Sequence, residues 1–298
     1  MNGARVSLHL VHSTLGIMTP LLLAATGGLF TELSGMLNIA LEGLMLCGAF
    51  FSVAFTVLTG SLFWGIAGGI AASLLLALLF GLVSLYLRAN IFITGLATNL
   101  LAPGLTTVVA FELFANKGVI RVPERLPLLS LPGVRSLPVL GEIFSGHTFV
   151  VYAGWLLLFL SWLVIYKTPF GLRLRGSGLS SDTVRSLGLR PRRYRLTGVL
   201  ISGFTCGLAG AGLALSLGAY VPNLTAGRGW IALVAIYLGG RKPWGILAAC
   251  LLFGCAESLS NYAQGAINIP ADFILAFPYL ITVAALIVYS IWRYYSSR

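Results

Sequence analysis

Acidic side chains are scarce in this sequence, and several lie inside long apolar stretches where a charge is costly. Glu42 and Glu257 lie deepest within such stretches. Glu32, Glu112 and Asp272 lie nearer to the ends of theirs. A charged side chain at the centre of a bilayer costs roughly 2.5 to 3.5 kcal/mol on insertion scales, so it normally faces a bundle interior or a water-filled path. Glu42 and Glu257 are therefore candidates for a polar solute pathway or a structural contact.

Two amide side chains belong with these carboxylates. Asn38 precedes Glu42 by four residues, and this spacing predicts that the two side chains share one helix face. Glu42 then either lines a solute path or acts as a clamp that accepts hydrogen bonds from a neighbouring broken helix, and we favour the clamp. Asn99, in a later apolar stretch, either lines the same path or cross-links two helices.

Other reactive groups lack the spacing that catalysis or metal binding requires. His9, His12 and His147 lie at or outside the ends of apolar stretches, so no buried proton relay is visible. The four cysteines have no paired ligand spacing, which predicts neither a zinc site nor a disulfide framework. Because no nucleophile, base or metal-ligand cluster converges, the sequence argues against an intramembrane enzyme.

The elements that position the candidate residues must be membrane helices. Of the 298 residues 58% are hydrophobic and 9% charged, whereas a soluble domain carries about a quarter charged residues. A spanning helix needs roughly 20 apolar residues. We predict an all-α, polytopic transmembrane bundle in one domain over residues 1–298, with about 8 to 10 membrane segments. The predicted segments are 9–30, 39–59, 62–87, 91–114, 148–166, 196–219, 229–240, 243–262 and 272–292.

Two features of these segments predict how they pack. Segment 229–240 is too short to cross as a regular helix, so it is predicted to be broken or re-entrant. Small residues recur at helix-packing spacing, as in Gly65 with Gly69 and Gly203 with Gly207. Such spacing allows helix backbones to approach closely.

Two long polar loops differ in charge and so predict the topology. Residues 115–147 hold four basic and two acidic residues, with four prolines that prevent a long helix. Residues 167–195 hold eight basic residues against Asp182 alone, a net charge of +7. Since Lys and Arg are retained on the cytoplasmic side during insertion, we predict residues 167–195 inside and the proline-rich loop outside. The side of the N-terminus stays open, because a re-entrant stretch at 31–38 would reverse it.

The remaining basic residues agree with this topology. Arg88, Arg241, Lys242 and the C-terminal arginines then also fall inside, so the C-terminus is predicted to be cytoplasmic. The net charge of +11 is spread over loops rather than over one globular face. It therefore reflects topology and does not indicate nucleic-acid binding.

The second half of the basic loop predicts one short helix. Ser180 or Ser181 can cap its N-terminus, Asp182 suits the positive end of the helix dipole, and Gly188 can end it. Val184 and Leu187, three residues apart, would share an apolar face. Because so short a helix is marginal alone, it needs a surface to dock against. The alternative is an ordinary basic loop held against anionic lipid headgroups.

Three separated motifs together resemble the permease subunits of ABC importers, specifically the ribose, branched-chain amino acid and nucleoside type. The first covers residues 27–45 and reads GGLFTELSGMLNIALEGLM. The second covers 168–175, TPFGLRLR, followed by Ser186-Leu187-Gly188. The third covers 227–235, GRGWIALVA, followed by Gly239-Gly240. All three stand in the family's order and cover nearly the whole chain.

The resemblance implies which residues couple this chain to an ATPase. In the family the second motif forms a cytoplasmic loop that meets the ATPase subunit. Here Leu179-Ser180-Ser181 replaces the usual Glu-Asn-Pro run, and Gly176 stands where Ala is common, which bears on which ATPase fits. The coupling residues implied are Thr168, Pro169, Phe170, Gly171, Arg173, Arg175, Ser181, Asp182, Val184, Leu187 and Gly188.

The resemblance also implies that ATP binds a partner and that this chain holds no cofactor or metal. The only lysines, Lys117, Lys167 and Lys242, follow Asn, Tyr and Arg, whereas a P-loop places Gly before its Lys. The expected partners are a cytoplasmic ABC ATPase, a substrate-binding lipoprotein and a second permease. Because the chain resembles the shorter of two sister permeases, we expect a heterodimer in the bacterial inner membrane.

The substrate remains a choice among several nutrients. The resemblance leans toward the branch that imports purine nucleosides or riboflavin, with simple sugars and branched-chain amino acids as alternatives. A secondary transporter driven by an ion gradient is the alternative of a different class. It would need no ATPase, and the lack of a buried His or Lys relay argues against it.

Overall fold

The computed structural model describes residues 3–116, 118–130 and 140–266, together with residue 287. The predicted segment 272–292, with Asp272 and the C-terminal arginines, lies outside the described residues. Part of the proline-rich loop does as well. Within the described ranges the chain forms eleven helices and four two-residue strands.

Within the described ranges, short connections join most of the elements. The helices are α1 Gly3–Leu33, α2 Leu41–Thr59, α3 Leu62–Leu85, α4 Ile91–Phe114, α5 Leu140–Phe144, α6 Phe149–Lys167, α7 Pro169–Leu179, α8 Ser181–Ser186, α9 Pro191–Leu217, α10 Arg228–Leu238 and α11 Pro243–Ala266. The strands are β1 Ile120–Arg121, β2 Leu128–Leu129, β3 His147–Thr148 and β4 Ala219–Tyr220.

Seven helices in the described part are long and apolar enough to cross a membrane, namely α1, α2, α3, α4, α6, α9 and α11. The chain is therefore a multi-pass membrane protein, and the predicted all-α bundle is confirmed. The segment predicted at 229–240 forms α10, which has 11 residues. At 1.5 Å per residue it reaches about 16 Å, only half of the roughly 30 Å hydrocarbon core.

Helices α2 and α9 form the centre of the bundle and are its most buried spans. Their backbones touch where Gly48 meets Gly207, since a Cβ on Gly48 would lie 2.7 Å from the Gly207 Cα. Gly203 approaches α3 as closely, with Ala77 2.6 Å from the position of a Cβ. The predicted packing through small residues is confirmed, and it explains how polar side chains on these helices come within hydrogen-bonding distance of one another.

Contacts at the two ends of α1 define two faces of the bundle. At its C-terminal end Gly35 packs on Gly178 of α7, with a Cβ position 2.9 Å from the Gly178 Cα. Near its N-terminal end His12 Nδ1 lies 3.0 Å from the Glu142 carbonyl oxygen of α5. We call the end that carries α7 and α8 the basic face, and the end that carries α5 and the proline-rich loop the outer face. With the basic face inside, as its charge predicts, α1 begins at the outer face.

Short strands fasten the outer loop to the bundle. Strand β1 pairs antiparallel with β4, with Ile120 opposite Tyr220. Strand β2 pairs with β3, with Leu128 opposite Thr148. The described part of this loop contains no helix longer than the five residues of α5, in keeping with its prolines.

Candidate transport and coupling site

The carboxylate of Glu42 holds the N-terminal end of the half-helix α10. It accepts hydrogen bonds from the Thr225 hydroxyl at 2.5 Å, the Gly227 N–H at 2.9 Å and the Gly229 N–H at 2.6 Å. The first N–H groups of a helix have no partner within the helix and carry its positive dipole end. A carboxylate therefore satisfies both the hydrogen bonds and the charge at this point.

Glycine at position 229 allows this approach. A Cβ there would overlap the backbone nitrogen and Cα of Glu42, so any larger residue would push α10 away from α2. Gly227, with φ of 83°, supplies the left-handed turn that precedes α10. Glu42 thus makes the contacts expected of a clamp on a broken helix.

A second carboxylate meets α10 from the following helix. The guanidinium of Arg228 donates to Glu257 of α11 in an ion pair whose two side chains are each 21% exposed. Within a membrane an acidic or basic side chain is tolerated mainly when paired. Glu257 therefore connects two elements of the bundle and lies beside the same helix end as Glu42.

A third carboxylate meets the opposite end of α10, at the basic face. Glu32, near the end of α1, accepts a hydrogen bond from the Tyr237 hydroxyl at 3.0 Å. It also pairs with Arg241 at 3.0 Å, and the Arg241 guanidinium lies 5.4 Å from the centroid of the Tyr237 ring. Three of the acidic residues singled out in the sequence, on three different helices, thus converge on the segment that contains α10.

The amide of Asn38 does not share a helix face with Glu42, and that prediction is wrong. Helix α2 begins only at Leu41, because the Asn38 side chain accepts from the Ala40 N–H at 3.0 Å and so stabilises a turn instead of a helix. Its amide nitrogen donates to Ser202 of α9 at 2.7 Å. Asn38 therefore points to α9, whereas Glu42 points to α10.

Asn99 of α4 holds the start of α2 from the other side. Its oxygen accepts from the Gly43 N–H at 2.8 Å, and its nitrogen donates to the Ile39 carbonyl at 2.8 Å. Asn99 thus cross-links α2 and α4, which is one of the two roles predicted for it. A role for Asn38, Glu42, Asn99 or Glu257 in contacting solute stays a prediction.

A cavity of about 580 Å³ opens near the outer face beside α10. Arg228, His12 and His147 line it, and the two imidazole rings stack with centroids 4.0 Å apart. Burial lowers the pKa of His147 below its ordinary value of 6.5, and the nearby charge of His12 lowers it further. A hydrogen bond to the Ile143 carbonyl, at 2.9 Å, acts in the opposite direction. His147 is therefore held in its neutral form near pH 7.

At the basic face, the first half of the coupling motif forms helix α7, whose helical structure was not predicted from the sequence. The Thr168 hydroxyl accepts from the Gly171 N–H at 3.2 Å and donates to the Val164 carbonyl at 2.6 Å. Pro169 occupies the first turn of α7, where a missing N–H costs nothing. These residues therefore fix the sharp change of direction from α6 into α7.

The second half forms α8, with Ser180 as its N-cap. The Ser180 hydroxyl accepts from the Thr183 N–H at 3.3 Å, Asp182 lies in the first turn, and Gly188 follows the helix with φ of 74°. Val184 and Leu187 do not share an apolar face, contrary to the prediction. The helix ends at Ser186, so Val184 is buried while Leu187 is 71% exposed.

Arg195 of α9 joins these helices to the loop before α2. Its guanidinium donates to the Ser181 hydroxyl at 2.7 Å, the Ser177 carbonyl at 3.0 Å and the Ser34 carbonyl at 3.1 Å. A guanidinium is suited to this role because its fork of donors is rigid and planar. Ser34 begins the segment 34–40, which contains Asn38 and leads into Glu42 of α2. Contacts therefore continue from α8 through Arg195, this segment and Glu42 to α10.

The basic face exposes large apolar side chains outside the spanning helices. Leu172 is 65% exposed, Leu179 is 90% exposed and Leu187 is 71% exposed. The remaining coupling candidates occupy the same region: Arg173 is exposed, Arg175 lies over the Tyr166 ring with 5.1 Å to its centroid, and Phe170 packs on Tyr194. Exposed leucines among charged residues are typical of a surface that binds a partner. We call the surface of Leu172, Leu179 and Leu187 the leucine surface.

Sequence reasoning missed three residues that matter here. Arg195 was counted only as loop charge, Arg228 only as part of a motif, and Tyr237 was not noted. The ion pair of Arg228 could have been predicted from the sequence, because an arginine near one apolar segment and a glutamate inside the next, Glu257, are expected to pair. Arg195 gave no such sequence signal, because its acceptors are two backbone carbonyls and one serine hydroxyl, whose positions depend on the fold.

Comparison with known proteins assigns the family. The chain matches, over residues 10–286, the family described as the permease component of the branched-chain amino acid transport system. The chain belongs to this permease family. Its members are permease subunits of ABC transporters, as the resemblance of the three motifs implied.

Three relatives cover most of the permease. The guanosine ABC transporter permease protein NupQ of Bacillus subtilis is 36% identical over 93% of this chain and 90% of NupQ. The nucleoside ABC transporter permease protein NupC of Lactococcus lactis is 33% identical over 97% of this chain and 94% of NupC. The putative glucose ABC transporter permease protein TsgC13 of Haloferax volcanii is 32% identical over 86% of this chain and 78% of TsgC13.

Proposed function

We propose that this permease forms half of the pathway by which an ABC importer carries nucleosides across the bacterial cytoplasmic membrane. Its similarity to NupQ and NupC over nearly the full length of both proteins supports nucleosides as the cargo. Energy comes from a separate ATPase, and a lipoprotein delivers the solute at the outer face. The chain itself supplies neither an ATP site nor a cofactor, and its C-terminus lies in the cytoplasm.

The observation that carries the mechanism is the continuous set of contacts from the leucine surface to α10. Leu179 and Leu187 seat on the ATPase, and closure of the ATPases moves α7 and α8. Arg195 passes that movement to residues 34–40, which lead into the Glu42 clamp. The half-helix α10, held by carboxylates at both ends, then shifts between outward-open and inward-open arrangements.

Helix α4 supports a second permease as the partner within the membrane. It is the least buried of the seven described spanning helices, and only a narrow row of its residues packs on α2 and α3. Its exposed side carries Thr107 and Glu112. Polar groups on an exposed membrane helix are costly against lipid, so a protein neighbour that covers them is the better environment. Because the chain resembles the shorter of two sister permeases, we propose a sister chain as this neighbour.

Transport by proteoliposomes tests the function. The permease is reconstituted with its sister permease, ATPase and binding lipoprotein, and uptake of tritiated guanosine, adenosine and uridine is measured with and without ATP. We expect ATP-dependent uptake of at least one nucleoside. Uptake that needs an ion gradient but no ATP would overturn the importer mechanism, and uptake of riboflavin or leucine alone would overturn the proposed cargo.

A simple sugar is the second candidate cargo, because TsgC13 is named a putative glucose permease and is nearly as similar as NupC. Tritiated glucose and ribose belong in the same assay for this reason. Competition distinguishes the two candidate cargoes. An excess of unlabelled guanosine should suppress uptake of labelled nucleoside if nucleosides are the cargo. It should leave uptake of labelled sugar unchanged if a sugar is the cargo.

A further inference from the structure

A groove runs along the side of the bundle between α6 and α9. Its volume is about 400 Å³, its lining is almost entirely apolar, and α1 forms its floor with Phe30. Leu160 on α6 and Phe204 on α9 form its rims and are 40% and 39% exposed. We call this feature the lateral groove. Its rims lie on two spanning helices and are partly exposed, so we expect lipid to surround it.

The end of the groove toward the basic face carries two cations. Thr197 lines the groove, and its hydroxyl donates to the Arg193 carbonyl at 2.9 Å, which places Arg193 one helical turn nearer the basic face. Val164 lines the opposite wall, and Lys167 follows it by three residues on the same side of α6. The two cations therefore stand at the same end of the groove on facing helices.

Aromatic residues mark this end as the level of the membrane interface. The Lys167 ammonium lies 5.8 Å from the centroid of the Trp162 ring. Tyr194 follows Arg193 on α9, and Phe170 lies three residues after Lys167 at the start of α7; their rings approach with centroids 5.9 Å apart. Trp and Tyr are enriched where hydrocarbon meets headgroups. The groove thus extends from the headgroup level into the hydrocarbon core.

Neither cation is neutralised within the part of the chain that the structure describes. No carboxylate there forms a salt bridge with Lys167 or Arg193, and the surrounding segment 167–195 has a net charge of +7. Basic pockets between spanning helices on the cytoplasmic side suit the headgroups of anionic lipids. The Trp162 ring beside the Lys167 ammonium supplies no countercharge. An apolar groove below two cations without a carboxylate partner is therefore complementary in shape and charge to such a lipid.

We propose that the lateral groove binds one anionic phospholipid of the cytoplasmic leaflet. An acyl chain occupies the groove, and the phosphate is held by Lys167 and Arg193. The bound lipid also covers the contact between Phe170 and Tyr194, which joins α7 to α9. The coupling helices are therefore held in place partly by lipid, which makes coupling sensitive to membrane composition.

Lipid binding to the purified full-length chain tests this proposal. Phosphatidylglycerol and phosphatidylcholine with the same acyl chains are titrated into detergent-solubilised protein, and bound lipid is measured by native mass spectrometry. We expect phosphatidylglycerol to bind at least about tenfold more tightly. Lys167→Gln with Arg193→Gln should weaken its binding roughly 25-fold, since each basic residue near an anionic headgroup contributes roughly fivefold.

A matched control removes the same charge elsewhere on the basic face. Arg88→Gln with Lys242→Gln, at two exposed positions away from the groove, should change binding less than twofold. If both double variants weaken binding equally, the effect is general electrostatic attraction and the proposed site is wrong. Inorganic phosphate at millimolar concentration should not displace the lipid, because the acyl chain supplies much of the binding.

Two further variants distinguish a lipid from other occupants. Thr197→Trp fills the groove and should abolish the preferred binding of phosphatidylglycerol, whereas Leu163→Trp, on α6 outside the groove, should not. Thr26 lines the groove with a buried hydroxyl that has no hydrogen-bond partner. Thr26→Val should leave lipid binding unchanged. Loss of binding in Thr26→Val, or equal binding of both lipids, would mean that the groove is built for a polar solute or a neutral chain.

Discussion

The Glu42 clamp lies in the first family motif and the leucine surface lies on the loop that carries the second, yet they differ in how far this chain satisfies their contacts. Both oxygens of Glu42 are occupied by donors from the same chain. At the leucine surface, by contrast, Leu179 and Leu187 are left 90% and 71% exposed. The first region is complete within one subunit, whereas we propose that the ATPase covers the second. Mutations in the clamp should therefore change stability, and mutations in the leucine surface should change assembly.

Removing the clamp carboxylate should have the largest effect. Glu42→Ala leaves the N–H groups of Gly227 and Gly229 without acceptors in a buried site, and we expect a loss on the order of 5 kcal/mol in stability. The measurement is the thermal unfolding midpoint in detergent, together with the yield of folded protein. The conservative change Glu42→Gln keeps one oxygen and should recover part of the loss. If Glu42→Ala unfolds like the unmodified chain while transport fails, Glu42 is a pathway residue and not a clamp.

Charges at the leucine surface should abolish assembly and leave the fold unchanged. Leu187→Asp should reduce uptake and ATPase co-purification to background, because the apolar contact with the partner is lost. Its unfolding free energy should change by no more than about 0.5 kcal/mol, as is usual for exposed positions. Leu128→Asp, at an equally exposed leucine of the outer face, is the control and should retain the ATPase. Normal uptake in Leu187→Asp would refute the assigned role.

The junction between the two regions should give an intermediate effect. Arg195→Lys keeps the charge but cannot reach Ser34, Ser177 and Ser181 together, since an ammonium lacks the planar fork. We expect the ATPase to bind normally. The number of solute molecules transported per ATP hydrolysed should fall roughly tenfold, which corresponds to the loss of about one hydrogen bond to a charged group. Arg192→Lys, on the same helix but outside the junction, should transport normally. An unchanged ratio in Arg195→Lys would mean that force passes by another route.

The outer histidine should give the smallest effect, through pH. Burial lowers the pKa of His147 in the folded state, so the unfolded chain binds its proton more tightly. The contribution of His147 to stability is then fully present above about pH 6.5 and is lost as the pH falls toward the lowered pKa of the folded state. The unfolding midpoint should fall between pH 7.5 and 5.5, and the fall should shrink in His147→Phe. His9→Gln, at an exposed histidine, should behave like the unmodified chain.

Most of the fold could be predicted from apolar length and charge. Eight of the nine segments predicted from the sequence correspond to helices in the described residues, and the short one at 229–240 is the half-helix α10. These predictions succeeded because lipid enforces long apolar helices. The topology predicted from loop charge stays a prediction. The ninth segment, 272–292, lies outside the described residues.

The details of the site were less accessible to sequence reasoning. The shared face of Asn38 and Glu42 failed because an asparagine just before a helix prefers to bond its own backbone, so the helical period had not yet begun. The shared face of Val184 and Leu187 failed because α8 ends one residue too early. Arg195 was missed because two of its three acceptors are backbone carbonyl oxygens, which every residue supplies whatever its type. Contacts decided by backbone placement cannot be inferred from residue types alone.

Helix α9 has a consequence for how the two sides of the membrane communicate. At its outer end the carbonyl oxygens of Leu215 and Gly218 accept hydrogen bonds from Leu126 and Val122 of the proline-rich loop. At its other end Arg195 grips the coupling helices. Arg195 and Gly218 are 218 − 195 = 23 residues apart, so at 1.5 Å per residue the helix separates these attachments by about 35 Å. If this helix tilts as a rigid rod by about 5°, one end moves by roughly 3 Å, so a binding protein that docks outside changes the contacts of Arg195 with α7 and α8 by a single small rotation.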